Sequence, residues 1–389
     1  MKDRLAYDGT NPMPLIARRC AAGFLYILIL FVAVPIVQSF MPLVPVRALD
    51  EHRLREPPPN FSLLRNSDGS KFAGDLNRWA DDRIGLRDMF IRWKNQIDYS
   101  FFKTSRKVYI GADGWLFDRD NANARANLER LSDKGLANLE QSFVDLAEYL
   151  RRRHIELVVI GYPDKSIFYS NYMPNNAPRF PKVGRLGQLW EFLRHRNEFA
   201  FIDAAELLDA RRAEGLLYYK TDIHPTVLGS MPIVREIVRT IAAKELRSDV
   251  VWNENFELKS AAWSGGVENL RLATLNPRPE QITTAGGLYE VGKDNDLGHW
   301  ITDPRRVSLP GGATSPIFDW EFVSRPGTCG SKLPAAALFG DSFSDLYWAL
   351  GLQNYFCSLR RARTTIKRLP PYLSDLPEDT RYFIFEFTT

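Results

Sequence analysis

Residues 21–44, AAGFLYILILFVAVPIVQSFMPLV, contain no charged side chain. A helix over such a run covers the roughly 30 Å hydrocarbon core of a bilayer at about 1.5 Å per residue. It is apolar on every face, so it divides the chain into a short leader and a long remainder. Lys2, Arg4, Arg18 and Arg19 precede it, against Asp3 and Asp8. That excess of cations predicts a cytoplasmic segment 1–20, an anchor over 21–44 and export of everything beyond. A cleaved signal peptide is the rival reading. The run exceeds the usual apolar region of about 7–15 residues, and VRALD at 46–50 is a poor cleavage site. Pro35 and Gln38 weaken the helix without forbidding it.

The chain of 389 residues is long enough for one large domain or two ordinary ones, and its 45% hydrophobic content is that of a packed globular protein. The net charge of +4 is small, with cations dispersed among acids, so a nucleic-acid partner is not expected. Export changes how the cysteines read. Cys20 lies at the edge of the anchor, whereas Cys329 and Cys357 lie where an oxidising compartment lets a disulfide persist. They form one bridge or stay two separate thiols.

A Pro-rich polar stretch within residues 45–74 reads as a spacer, and the main domain is expected from 75 to 389. Asp75–Phe102 has a helical apolar period broken near Gly85, and Lys107–Asp118 alternates about an Asp-Gly turn as a hairpin does. From there strands and helices take turns. The stripe Leu136, Leu139, Phe143, Leu146, Leu150 precedes the apolar run Ile155–Tyr162. A helix at 186–196 precedes a strand at 200–203, and helices follow at 204–214 and 229–245. This rhythm predicts an α/β fold with a parallel sheet covered by helices on both faces. Residues 250–325 break it with short strand-like pieces (FELKSAAW, GLYEVG, RRVSLPGG) and read as a β-rich insertion. A strand at 335–339 and a terminal strand at 381–389 complete the set.

The strand at 335–339 ends in Gly340-Asp341-Ser342, which puts a hydroxyl at the carboxyl end of a buried strand. Open α/β sheets place their chemistry there. Serine needs a base to become a nucleophile, and the chain has five histidines. His52, His154 and His195 sit in polar or basic surroundings that suit solvated groups. His224 follows Asp222 by two positions in YYKTDIHPTVLG, a spacing that lets the carboxylate reach the ring nitrogen facing away from the serine. His299 in DLGH is the rival base, in a Gly-rich and acidic stretch. No paired Cys or His has metal-ligand spacing, so neither a metal nor another cofactor is expected.

Gly340-Asp341-Ser342 resembles the first block of SGNH/GDSL hydrolases, which use a Ser-His-Asp triad for acyl transfer to or from oxygen. Here the Asp-x-His pair comes before the serine. That permuted order is similar to the alginate O-acetyltransferase family, exported SGNH-like enzymes that acetylate exopolysaccharides. DDRIGLRD (81–88), VYIGADGWLFD (108–118), GYPDKSIFY (161–169) and YYKTDIHPTVLG (218–229) also look like that family. The resemblance runs from about residue 75 to the end and is least over 250–325. It points to the membrane-anchored type without a carbohydrate-binding module. One departure is Pro225, where the family commonly has Trp after the histidine.

The resemblance implies Ser342 as nucleophile, His224 as general base and acid, and Asp222 as its orienter. The backbone N–H of Ser342 or Phe343 is the expected oxyanion donor, and Asp341 is expected to brace the turn. Lys165, Tyr219 and Tyr347 are the expected substrate contacts, with Tyr218 and Trp348 as further stacking surfaces. It also implies a polysaccharide acceptor, acetyl delivery by a multi-pass membrane acyltransferase, and a bacterial inner membrane with the catalytic domain in the periplasm. An esterase using the same triad and a non-catalytic assembly subunit are the alternatives.

Overall fold

The computed structural model describes residues 15–49, 54–61, 69–126, 130–180, 184–301, 306–308, 314–316, 318–363, 373–374 and 376–388. The cationic leader before residue 15, His52 and parts of the spacer lie outside the described residues. The chain divides into two compact units, residues up to 102 with 273–276, and residues 103–272 with 277–389.

The first unit is helical. Helix α1 (Leu15–Phe40) has a 22-residue part, Arg19–Phe40, long and apolar enough to cross a bilayer. It ends sooner than the apolar run does. Pro42 disfavours helical backbone at Met41, and the side chain of Gln38 instead accepts from the N–H groups of Leu43 and Val44. Helices α2 (Gly69–Asp81) and α3 (Arg87–Ile97) have no fully buried residue. They group with α1, whereas the sequence predicts the main domain to begin at residue 75.

The second unit opens with the predicted hairpin, β1 (Val108–Ile110) against β2 (Leu116–Asp118). Helix α4 (Asp133–Arg152) is capped by Ser132, whose hydroxyl accepts from Gly135 N–H, and its apolar stripe is buried at Phe143, Ala147 and Leu150. Then come β3 (Glu156–Tyr162), α5 (Arg185–Arg194), β4 (Ala200–Asp203) and α6 (Val227–Lys244). The stretch from 250 supplies β5 (Glu257–Trp263), α7 (Val267–Leu272), β6 (Glu280–Gly286), β7 (Gly298–Trp300), β8 (Arg306–Ser308), β9 (Thr314–Pro316) and β10 (Trp320–Ser324). Last are β11 (Ala336–Gly340), α8 (Asp345–Ala349), β12 (Ser358–Arg363) and β13 (Tyr382–Thr388).

Seven strands form one sheet in the order β4-β3-β13-β11-β12-β10-β7. The first five are parallel. The expectation of a parallel sheet needs one correction, because β10 and β7 join antiparallel at one edge. The stretch at 250–325 is therefore not all insertion, since β7 and β10 extend the sheet. GLYEVG (287–292) forms no strand. Side chains alternate across the sheet. Val158, Ile160, Leu338 and Ile384 share a core with Ile233, Val234 and Ile237 of α6. Leu157, Val159, Phe339 and Phe385 share another with α4 and α5. Helices on both faces leave the carboxyl ends of the parallel strands as the open rim.

Cys329 and Cys357 are joined, with Cα atoms 4.8 Å apart and a sequence separation of 28. The bridge closes a loop that holds β11, the Gly340-Asp341-Ser342 turn and α8. Constraining a loop of that length in the unfolded chain is worth about 3–4 kcal/mol. Replacing both cysteines with serine should remove about that much stability, read by urea titration of the full chain.

Candidate active site

Strand β11 is buried at every position and stops at Gly340. Asp341 follows with extended backbone, and its carboxylate accepts from Phe343 N–H at 2.9 Å. This caps the single turn Ser342–Ser344 that leads into α8, so the half-buried Ser342 stands at a sharp strand-to-helix corner.

The second component is the loop 217–226, which closes on itself before α6. Thr226 N–H donates to Leu217 O at 2.9 Å, and Tyr219 N–H to His224 O at 3.3 Å. Thr226 then caps α6 by accepting from Gly229 N–H. Residues 222–224 form a bend, whereas the sequence reading assumes an extended segment. Asp222 reaches His224 by folding back on it. Its Oδ1 accepts from His224 N–H at 2.9 Å and from the ring Nδ1–H at 2.5 Å.

The two components meet. His224 Nε2 lies 2.7 Å from Ser342 Oγ, across 118 positions of sequence. With Nδ1–H donating to Asp222, Nε2 is free to accept the serine proton. Asp222 is 5% exposed, and its Oδ2 accepts from Val267 N–H at 2.7 Å. Burial pushes its carboxyl up. The hydrogen bond and charge of His224, with the backbone donors, outweigh this and hold it below the usual carboxylate range. Asp222 thus stays ionised against the ring it orients.

The rival base is elsewhere. His299 is exposed on β7, three strands from β11, about 14 Å across a sheet with strands about 4.8 Å apart.

Several expected contacts need correction. Lys165 is 2% exposed, and its ammonium donates to Glu268 Oε1 at 2.6 Å, Asp222 O at 2.8 Å and Tyr219 O at 3.3 Å. It props the Asp222 loop from beneath, where an external substrate has no access. Tyr347 is 0% exposed and so cannot contact an acceptor; Tyr218 and Trp348 are buried likewise. Phe343 N–H is engaged by Asp341, which leaves Ser342 N–H as the candidate oxyanion donor of the two. Tyr219 remains half-buried against Trp263, with ring centroids 4.7 Å apart. Its hydroxyl is pushed up to about 12 by burial and by Asp222 and Glu280, so it stays neutral.

Sequence reasoning missed the props supplied from residues 257–286. Glu280 accepts from Lys220 N–H at 2.6 Å and from Thr221 N–H at 3.1 Å, Val267 holds Asp222, and Glu268 holds Lys165. The one local signal was Gly266, where any Cβ would overlap the Thr221 carbonyl. Burial pushes the Glu268 carboxyl up to about 8, although the charge and hydrogen bond of Lys165 pull it down. The folded chain therefore keeps a proton that the unfolded chain releases above about pH 4.5. From Glu268, stability is fullest below that pH and is lost as pH rises toward about 8. Thermal unfolding of Glu268→Gln should show a smaller fall in Tm between about pH 5 and about pH 8 than the parent.

A strand-end serine, a histidine and an aspartate thus meet on a mixed α/β sheet with helices on both faces. Residues 108–284 match the family described as SGNH hydrolase-like domain, acetyltransferase AlgX.

Curated relatives bear the name probable alginate O-acetylase AlgJ. The Pseudomonas aeruginosa protein is 24% identical over 298 residues, 74% of this chain and 68% of that protein. The Pseudomonas putida protein is 24% identical over 151 residues, 39% of this chain. The chain spans 38% of the length of that Pseudomonas putida relative. Among solved structures, the O-acetyltransferase domain of Pseudomonas putida AlgJ aligns with 72% of this chain and 90% of its own, at 18% identity and a TM-score of 0.41. Bacillus cereus PatB1 with a sulfonyl adduct aligns with 73% of this chain and 95% of its own, at 14% identity and a TM-score of 0.48.

Proposed function

We propose that this chain is a membrane-anchored O-acetyltransferase that acetylates hydroxyls of an exported polysaccharide through an acetyl ester on Ser342. The observation that carries the reading is the relay Asp222–His224–Ser342, with contacts of 2.5 and 2.7 Å. The match to an acetyltransferase family and the AlgJ-named relatives support it. In the first half-reaction, His224 Nε2 takes the Ser342 proton as Oγ attacks the acetyl carbonyl. The collapsing tetrahedral oxyanion expels the donor's oxygen or sulfur, which leaves with that proton. In the second, His224 takes the proton of a sugar hydroxyl as its oxygen attacks the ester, then returns a proton to Ser342.

Placement belongs to the same proposal. Helix α1 anchors the chain in the bacterial inner membrane, residues 45–74 space it, and residues 103–389 form the catalytic unit in the periplasm. Trp93, Ile97, Phe101 and Phe102, exposed in the first unit, suit a position at the lipid surface. A multi-pass acyltransferase delivers the acetyl group.

The test is acetyl transfer by the full chain in detergent, from an acetyl-ester donor, with and without an oligosaccharide. The proposal predicts sugars heavier by one acetyl group. Donor hydrolysis at a rate indifferent to the sugar would make the chain an esterase. Neither reaction, in a folded preparation, would favour a non-catalytic subunit.

A further inference from the structure

Beneath the Ser342 turn lie two buried ionisable groups that the relay does not use. Arg361, on β12, is 1% exposed, and Glu386, on β13, is 2% exposed. Their strands flank β11 on either side. Glu386 Oε2 accepts from Asp341 N–H at 3.0 Å. It lies so close that a Cβ at position 340 would have to displace it. Arg361 Nη2 donates to Asp341 O at 2.8 Å and to Asp345 Oδ1, while its Nε donates to Ser344 Oγ at 3.1 Å. Ser344 Oγ itself donates to Asp341 O at 2.8 Å. The guanidinium also packs over the Trp320 ring at 4.5 Å.

These contacts have a geometric consequence. The Asp341 carbonyl and the Ser342 N–H belong to one planar trans peptide and point in opposite directions. A carbonyl drawn inward by Arg361 turns the Ser342 N–H outward. Glu386 fixes the preceding peptide, and the Asp341 carboxylate occupies the following N–H. The Ser342 N–H carries no hydrogen bond among the described residues, so the one free donor of the turn stands beside Oγ.

We propose that Arg361 and Glu386 are positioning residues that clamp the two peptides of this turn and aim the Ser342 N–H as the oxyanion donor. The inference rests on Ser342 being the nucleophile. Burial, followed by the neighbouring charge of Asp341, pushes the Glu386 carboxyl well above the usual range. A neutral acid there still accepts from Asp341 N–H, and glutamine reproduces that acceptor. Losing one oxyanion donor lowers turnover about 10²- to 10³-fold.

The experiment follows acetylation of Ser342 in the full chain with an acetyl-ester donor, alongside affinity for an acetyl-mimicking phosphonate that forms a tetrahedral serine adduct. Ser342→Ala must abolish acetylation; if it does not, the nucleophile assignment fails before the clamp is judged. Arg361→Met and Glu386→Leu should then lower the acetylation rate by about 10²-fold or more, with KM shifted less than about threefold. Phosphonate affinity should fall in parallel, and Glu386→Gln should recover most of the rate. Acetylation within about threefold of the parent in both variants overturns the proposal. So does a loss in which substrate and phosphonate binding fall equally, because that marks general disorder. Should Arg361→Met fail to fold, Arg361→Lys keeps the charge and loses the fork. It should acetylate at least about tenfold more slowly, and the parental rate would overturn the clamp.

Discussion

Ser342→Ala should lower acetyl transfer by about 10⁴- to 10⁶-fold while donor binding changes little. In the proposed mechanism the Oγ is the atom on which the acetyl group travels, so its removal would close the covalent route altogether. What remains is whatever uncatalysed transfer the site gains from holding donor and acceptor together. The turn is built from Asp341, Arg361 and Glu386, none of which bonds to the Ser342 hydroxyl, so the alanine variant keeps its fold. Initial rates of acetyl incorporation into an oligosaccharide, with a Tm taken on the same preparation, measure both halves of this expectation. A loss of only a fewfold would mean that the hydroxyl is not the carrier.

Asp222→Asn should lower turnover by about 10⁴-fold, with KM nearly constant. Asp222 is the only acceptor of the Nδ1 proton among the described residues, and its other oxygen is committed to Val267 N–H. An asparagine that keeps its oxygen on Val267 N–H turns its amide donors toward His224. The ring then presents the wrong tautomer, with Nε2 protonated and unable to take the serine proton. The same change removes the charge that stabilises the imidazolium. If serine, histidine and aspartate act as one unit, as proposed, the Ser342→Ala, Asp222→Asn double variant should be scarcely slower than Ser342→Ala alone. Multiplicative losses would place Asp222 outside the relay. Steady-state kinetics of the two single variants and the double variant give the answer.

What was legible in the sequence follows the range of the interactions involved. The parallel strands β3, β11 and β13 read as apolar runs because both faces are covered, and α4 read as a helix because its stripe has the right period. Asp222, His224 and Ser342 were candidates from residue type and position alone, before any distance was known. Their supports were hidden. Lys165 and Glu268 are 103 positions apart, and Asp341 and Glu386 are 45 apart, so no local pattern announces either pair. An aromatic beside a strand-end turn looks the same in sequence whether it faces solvent or core, so sequence alone cannot tell that Tyr347 is 0% exposed. Strands β7 and β10 escaped notice as sheet members because they are three and five residues long and owe their place to pairing with distant partners.

The claim that the site carries its acetyl group on Ser342 is tested most directly by brief exposure of the full chain to an acetyl-ester donor without acceptor. Acid quenching and peptide mass spectrometry would follow. The account predicts one acetyl group on the peptide containing Ser342, localised to that residue, and discharged when an oligosaccharide is added before the quench. Acetyl found on another residue, or transfer to sugar with no acetyl ever detected on Ser342, would contradict it.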